Sequence, residues 1–282
     1  MSIHNKQAED AKTSAHLRPE ITAGGVSSFI CLLLVAALVI WCFVSIDLDF
    51  SRTLTGLSKG MVSVRRMIPT SPADFGYDRQ LVTSSTIRTS FAETIQMAVV
   101  GTVTGALLAL PMSFLAARTG STPRWFSGAV KTFLNIGRAI PTIVYALVAI
   151  YAVGLGKATG AIAIGFVSFI GLAKLYAEAL ESVSPGPIEA VRAAGGNSFQ
   201  VFVYGMLPQV FPHYLATTLF TFEYNLKESF IVGIVGAGGL GQELFESIQL
   251  FQWKDAGVVI GLLIVLINLV DYFSYRVRLK FT

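Results

Sequence analysis

Long uncharged stretches alternate with short polar ones along most of the chain. Residues 26–46 carry no charged side chain over 21 positions, and residues 94–117 carry none over 24. Residues 139–156 give 18 such positions, and residues 158–173 give 16 before Lys174. A fifth apolar run starts near Phe211 and is interrupted by Glu223, Lys227 and Glu228. A sixth covers 256–270 and continues through Asp271 to Tyr275. A membrane-crossing helix needs about 20 mostly apolar residues. The pattern predicts an all-α membrane protein of about six transmembrane helices, the fourth and sixth short by length alone.

Composition agrees. Of 282 residues, 53% are hydrophobic and 13% charged, and the mean hydropathy is +0.64; soluble domains are about 25% charged. Residues 1–25 are polar, with three basic and three acidic side chains. They read as a tail before an anchor, because no small-residue cleavage site follows Ile46. Cys31 and Cys42 share the first span, about 16 Å apart on one helix, and read as small packing residues. His4, His16 and His213 are too scattered to form a metal constellation.

Charge sets the expected orientation. With six spans both termini share a side, and that side holds twelve Lys and Arg residues. The two short loops on the other side hold only Lys157 and Lys254. Cations mark the cytoplasmic side. The basic 47–93 segment fits this less well, although long loops report orientation poorly. Within it, Leu57, Met61, Val62 and Val64 stand among cations, which suits either an amphipathic helix on the outer surface or a solvated loop.

The segment between spans four and five reads differently. Ser184-Pro185-Gly186-Pro187 ends the fourth span, since proline cannot continue a helix. Pro187 suits a first helical position and would put Glu189 third, against free backbone N–H groups. Gly195-Gly196 stops that helix. Asn197 or Ser198 can cap a second one, over about 199–206, which Leu207-Pro208 ends. Two short helices at an angle at the cytoplasmic surface are expected. Ala190, Ala193, Ala194 and the glycines would let a partner backbone approach closely.

Here the chain resembles a family. Glu-Ala-Ala, three residues, Gly, nine residues, Ile, one residue, Leu-Pro is the signature of permease subunits of binding-protein-dependent ABC importers. It falls on Glu189-Ala190-Val191, Gly195, Gly205 and Leu207-Pro208, with Val191 and Gly205 departing from the pattern. Residues 138–156, 173–196, 207–212 and 222–241 resemble the phosphonate/phosphite branch of that family, and the likeness covers about 90–282. It implies a type I ABC importer transmembrane domain acting as a homodimer in the inner membrane. It further implies a cytoplasmic ABC ATPase dimer that holds ATP and Mg, an external phosphonate-binding protein, and no bond-breaking chemistry on this chain. On this reading 1–25 is a cytoplasmic tail, 26–46 an anchor, 47–93 an external loop, and 94–282 the permease core with a coupling element at 184–212. Glu189, Ala190, Val191, Arg192, Ala193, Gly195, Leu207 and Pro208 would dock the ATPase. Lipid is the surrounding partner, and nucleic acid is not expected to be one.

Two glycine motifs point elsewhere at first sight. Residues 236–241 satisfy G-x-G-x-x-G, but no strand precedes them, so a tight re-entry at the outer face is expected instead. Gly154-Leu155-Gly156-Lys157 approaches a phosphate loop, but Tyr151 and Ala158 break the pattern. In the fifth span, Glu223 and Lys227 are spaced i, i+4 in the favourable order for an ion pair. Alternatively Glu223, Asn225, Lys227 and Glu228 line the transport path, with Lys227 attracting an anion. Arg138 reads as an interface cation. Gly101/Gly105 and Gly257/Gly261 are spaced for close helix packing. The resemblance implies a phosphonate or phosphite-like phosphorus oxyanion as cargo, with phosphate, an amino acid or a sulfonate as the alternative. An ion-coupled carrier is the rival from another class, and it would need repeats or paired broken helices.

Overall fold

A computed structural model describes residues 23–45, 49–68, 79–118 and 123–279. The predicted tail lies almost wholly outside them. Among the described residues the secondary structure is helical, with no strand. The chain divides into two compact units between residues 61 and 62.

The first unit holds α1 (Ala23–Ser45) and most of α2 (Phe50–Met67). Residues Ser28–Ser45 have a mean hydropathy of 2.7, the highest of the candidate membrane-crossing helices among the described residues. The basic segment after it does form a helix. Asp49 starts it by accepting from the backbone N–H groups of Ser51 (3.1 Å) and Arg52 (3.2 Å). The Ser51 hydroxyl and then the Arg52 N–H hold the Asp49 carboxyl below the usual carboxylate range. Leu54, Leu57, Met61 and Val64 line one side of α2, and Arg52, Lys59 and Arg66 lie at i, i+7, i+14 on the opposite side.

In the second unit, α3 (Ser85–Ala116) and α6 (Lys157–Glu181) form the central pair. They meet backbone to backbone. A Cβ added at Gly105 would lie 2.5 Å from Ser168 Cβ and 2.8 Å from the Gly165 carbonyl. One added at Gly101 would lie 2.7 Å from Ile164 Cγ2. This first small-residue pair therefore packs helices within one chain, as such spacing permits. The second does not. Gly257 abuts the Met67 carbonyl, and a Cβ at Gly261 would meet nothing within 4 Å.

The third apolar run bends. α4 (Arg124–Ala139) and α5 (Thr142–Val153) turn through 90° at Ile140-Pro141. Pro141 has no N–H to continue α4. The freed Gly137 carbonyl instead accepts from the Tyr145 hydroxyl (2.9 Å) and the Ile140 N–H (3.2 Å). With 12 residues, α5 is about 18 Å long, short of a 30 Å hydrocarbon layer. α6 is longer than its uncharged run because its charges find partners. Lys174 donates to Asn135 (2.7 Å), and Glu181 accepts from Lys131 Nζ and the Arg118 N–H, both at 2.6 Å.

The remaining elements are α7 (Pro185–Ala193), α8 (Ser198–Gln200), a π-helical stretch (Val201–Met206), α9 (Leu207–Val232), a second π-helical stretch (Gly233–Ala237), α10 (Gly239–Gln249) and α11 (Trp253–Arg278). Among the described residues, four helices are long and apolar enough to cross a membrane, or five if the bent pair counts as one. α9 has 26 residues but falls outside that count, its apolar face diluted by Gln209, His213, Glu223, Asn225, Lys227 and Glu228.

One expectation follows for the α3–α6 contact. Gly105→Val should destabilise the detergent-solubilised protein by about 2–3 kcal/mol, because neither backbone can retreat far. Gly128→Ala, whose Cβ meets nothing within 4 Å in the middle of α4, should be neutral or stabilising. Thermal unfolding compares the two, and equal melting temperatures would refute the close contact.

Candidate functional site

The segment 184–208 forms a hairpin. Its first helix begins two residues earlier than the sequence suggests, at Pro185 behind Ser184. Glu189 is therefore the fifth helical residue rather than the third, and its first-turn interaction with free N–H groups is absent. The predicted stop forms in detail. Gly195 adopts φ +82°, its N–H reaches the Arg192 carbonyl (2.9 Å), and the Gly196 N–H reaches the Val191 carbonyl (3.0 Å). This is the double bond of a Schellman motif, which needs a left-handed residue at that position. Asn197 then opens α8 with a capping box, accepting from the Gln200 N–H (2.9 Å) while Gln200 Oε1 accepts from the Asn197 N–H (2.8 Å).

Leu207-Pro208 does not end the second helix. Residues 198–232 run on without a break in helical backbone. The π-helical stretch lets the Leu207 N–H reach back to the Phe202 carbonyl, so Pro208 enters as an early residue of α9. Gly205 lies against α7, where its Cβ would be 3.3 Å from Ile188 Cα. Gln209 bridges the ends of the hairpin. Its Oε1 accepts from the Ser184 N–H (3.1 Å), and its Nε2 donates to the Gly205 carbonyl (2.6 Å). Ile188 and Val191 pack toward the core. Glu189, Ala190, Arg192, Ala193, Gly195 and Pro208 are exposed, and Leu207 is half-buried. The predicted docking residues thus share one rigid hairpin, with all but Val191 and Leu207 facing outward.

The four pathway candidates separate. Glu223 is buried and pairs with Arg278 of α11 at 2.5 Å, not with Lys227. Asn225 is buried and donates to Thr102 Oγ1 and Ser168 Oγ, both at 2.7 Å, so it ties α9 to α3 and α6. Lys227 is exposed. Glu228 lines a cavity of 530 Å³ between α9, the middle of α6 and the α4–α5 bend. Lys227 is not among the residues lining that cavity, but Arg138, Thr142, Thr221 and Tyr224 are. The sequence treated Arg138 as an interface cation. The signal that could have drawn attention to it is Pro141, three residues on, which forces the bend.

The two glycine motifs engage each other. The Gly156 N–H donates to the Gly236 carbonyl (3.2 Å). Gly236, Gly238 and Gly239 hold φ between 75° and 104°, a region open to glycine but strained for other residues. The first N–H groups of α10 are taken by side chains of α3. Glu93 Oε2 accepts from Gly239 (3.2 Å) and Thr94 Oγ1 from Leu240 (2.9 Å). Lys157 pairs with Glu93 at 3.7 Å. Ser90 donates to Glu243 (3.0 Å), whose carboxyl is pushed above the usual range by burial, with Ser90 opposing and Glu246 and Glu93 adding to the rise. The motifs thus meet in one glycine joint, and side chains of α3 take the first N–H groups of α10.

A family model described as "Binding-protein-dependent transport system inner membrane component" matches residues 109–278. The phosphite transport system permease protein PtxC of Stutzerimonas stutzeri is 34% identical over 189 residues, covering 67% of this chain and 69% of that protein. The phosphate-import permease protein PhnE of Mycolicibacterium smegmatis is 33% identical over 271 residues, 95% of this chain and 48% of that protein. Among solved structures, a chain of the MetNI methionine ABC transporter in inward-facing conformations matches with a TM-score of 0.61 at 25% identity, covering 67% of this chain and 93% of that one.

The Glu223–Arg278 pair has a stability consequence. Removing one partner of a buried pair costs about 3–5 kcal/mol. Arg278 keeps about a third of its side chain exposed (32%), so roughly 1–3 kcal/mol is expected for Glu223→Ala. A double-mutant cycle with Arg278→Ala measures the pairing itself. A coupling under about 0.5 kcal/mol would mean that the contact does not hold α9 to α11.

Proposed function

The chain belongs to the family of binding-protein-dependent transport system inner membrane components, and from that premise we propose a specific role for it. It is a membrane permease subunit of an ABC importer. Its cargo is a phosphorus oxyanion of the phosphonate, phosphite or phosphate kind, handed over by an external binding protein. The chain works as a homodimer with both termini in the cytoplasm. ATP and Mg bind on a partner ATPase dimer, so this chain breaks no bond itself.

The observation that carries the reading is the exposed, internally braced hairpin at 184–208. A surface that receives a push must not deform under it. The Schellman end, the capping box and the Gln209 bridge meet that need. Glu189, Ala190, Val191, Arg192, Ala193, Gly195, Leu207 and Pro208 form the docking element. Closure of the ATPase dimer moves it, and the helices alternate between inward- and outward-open states. Cargo and ATP act by preferring different states. The phosphorus-oxyanion assignment draws on two relatives, whose names specify phosphite and phosphate. A methionine-like cargo is the second reading, favoured by the fold match.

The test is uptake by the complex reconstituted with its ATPase and binding protein. Wild type should take up phosphite or a phosphonate in strict dependence on ATP, and not methionine. Glu189→Arg should abolish uptake while the protein still inserts and assembles. Uptake that survives the substitution removes Glu189 from the docking element. Uptake without any ATPase replaces the importer with a carrier.

A further inference from the structure

We propose that Arg138 is the oxyanion-contacting residue of a transit site within this chain, in the cavity at the α4–α5 bend. The proposal rests on the phosphorus-oxyanion reading above and names the group that would meet the cargo.

The cavity has 530 Å³ and is lined by one cation, Arg138, by the polar side chains of Thr142, Thr221, Tyr224 and Asn225, and by one acid, Glu228; Asn225 and Thr221 already donate within the protein and Tyr224 is hydrogen-bonded to Glu228. The side chain of Arg138 is exposed, and the backbone that carries it is held in place. The preceding carbonyl, at Gly137, accepts from Tyr145 and Ile140, and Pro141 prevents α4 from continuing. Gly137 also brings the bend against α6, since a Cβ there would lie 2.6 Å from Ile170 Cδ1. Among the described residues the Arg138 guanidinium has no hydrogen bond or ion pair, whereas Glu223, Glu181 and Lys174 all have partners. A guanidinium offers a planar fork that matches two oxygens of a phosphorus oxyanion. Its position in the last turn of α4 also suits the helix dipole, but that benefit requires no cavity. Glu228, next to Tyr224 on α9, opposes the anion and keeps the hold weak enough for release.

Phospholipid headgroups carry the same oxyanion chemistry, so the experiment separates cargo from lipid. Phosphite uptake is measured with the reconstituted complex in phosphatidylcholine vesicles and again with phosphatidylglycerol added. Arg138→Gln should lower the maximal rate roughly tenfold in both, about what losing one charge-assisted hydrogen bond costs. The half-saturating concentration, set by the binding protein, should stay within about twofold, and Arg138→Lys, which keeps the charge but not the planar fork, should lose less of the rate than Gln does. No loss with Gln, or an equal loss with Lys and Gln, overturns the proposal. A loss confined to phosphatidylglycerol vesicles assigns the oxyanion to a headgroup and also overturns it. Wild-type complex that imports methionine but no phosphorus oxyanion defeats the underlying reading, and the transit site with it.

Discussion

Within a bilayer, every backbone N–H and C=O must find a partner inside the protein, since an unsatisfied group costs several kcal/mol. Straight helices meet this requirement automatically; broken ones do not. This chain breaks its helices at 140–141, at 154–156 and at 233–238, and each break has its own repair. Tyr145 serves Gly137, Thr159 serves Gly154, and Gly156 serves Gly236. Glu93 and Thr94 serve the start of α10. Tyr145 and Thr159 act within eight residues along the chain, whereas Glu93 and Thr94 need α3 to lie against the start of α10. The glycine contact between α3 and α6 holds the two central helices backbone to backbone.

The hairpin and the cavity share α9. This helix starts at Leu207 beside the hairpin and carries Tyr224, Asn225 and Glu228 into the cavity. Pro208 and Glu228 are 20 residues apart, about 30 Å of continuous helix. The two ends differ in how they are held. Tyr214 stacks on Tyr176 of α6 with ring centroids 3.9 Å apart, and Asn225 ties α9 to both α3 and α6. The π-helical stretch at 201–206 adds a residue to the turn just before α9 and is the natural place for rotation to be taken up.

Local features were legible in the sequence; distant partners were not. The helical membrane class follows from uncharged runs. The stop at Gly195-Gly196 follows from glycine's access to positive φ. The family signature at 189–208 was readable because its spacing is short and fixed. Other readings changed. Glu223 and Lys227 have the spacing of an i, i+4 pair, but Arg278 lies 55 residues downstream and packing brings it closer. Leu207-Pro208 looked like a helix end, because proline alone does not reveal that a π turn can admit it. The 139–156 run looked straight, because hydropathy is blind to the direction of a helix axis after Ile140-Pro141. In each case the missing information was tertiary.

The ionisable groups sort into two kinds once their partners are known. Glu223 with Arg278, Glu181 with Lys131 and Glu93 with Lys157 join different helices, and each pair neutralises itself. Such pairs join helices and carry no net charge. Arg138 and Glu228 both line the cavity, and no ion pair joins them among the described residues. A pathway has to bind strongly enough to admit a solute and weakly enough to let it leave. One cation tempered by one acid suits that compromise better than a cluster of cations would. Affinity on this scheme belongs to the binding protein, and the membrane chain contributes passage, with selectivity limited to the sign of charge.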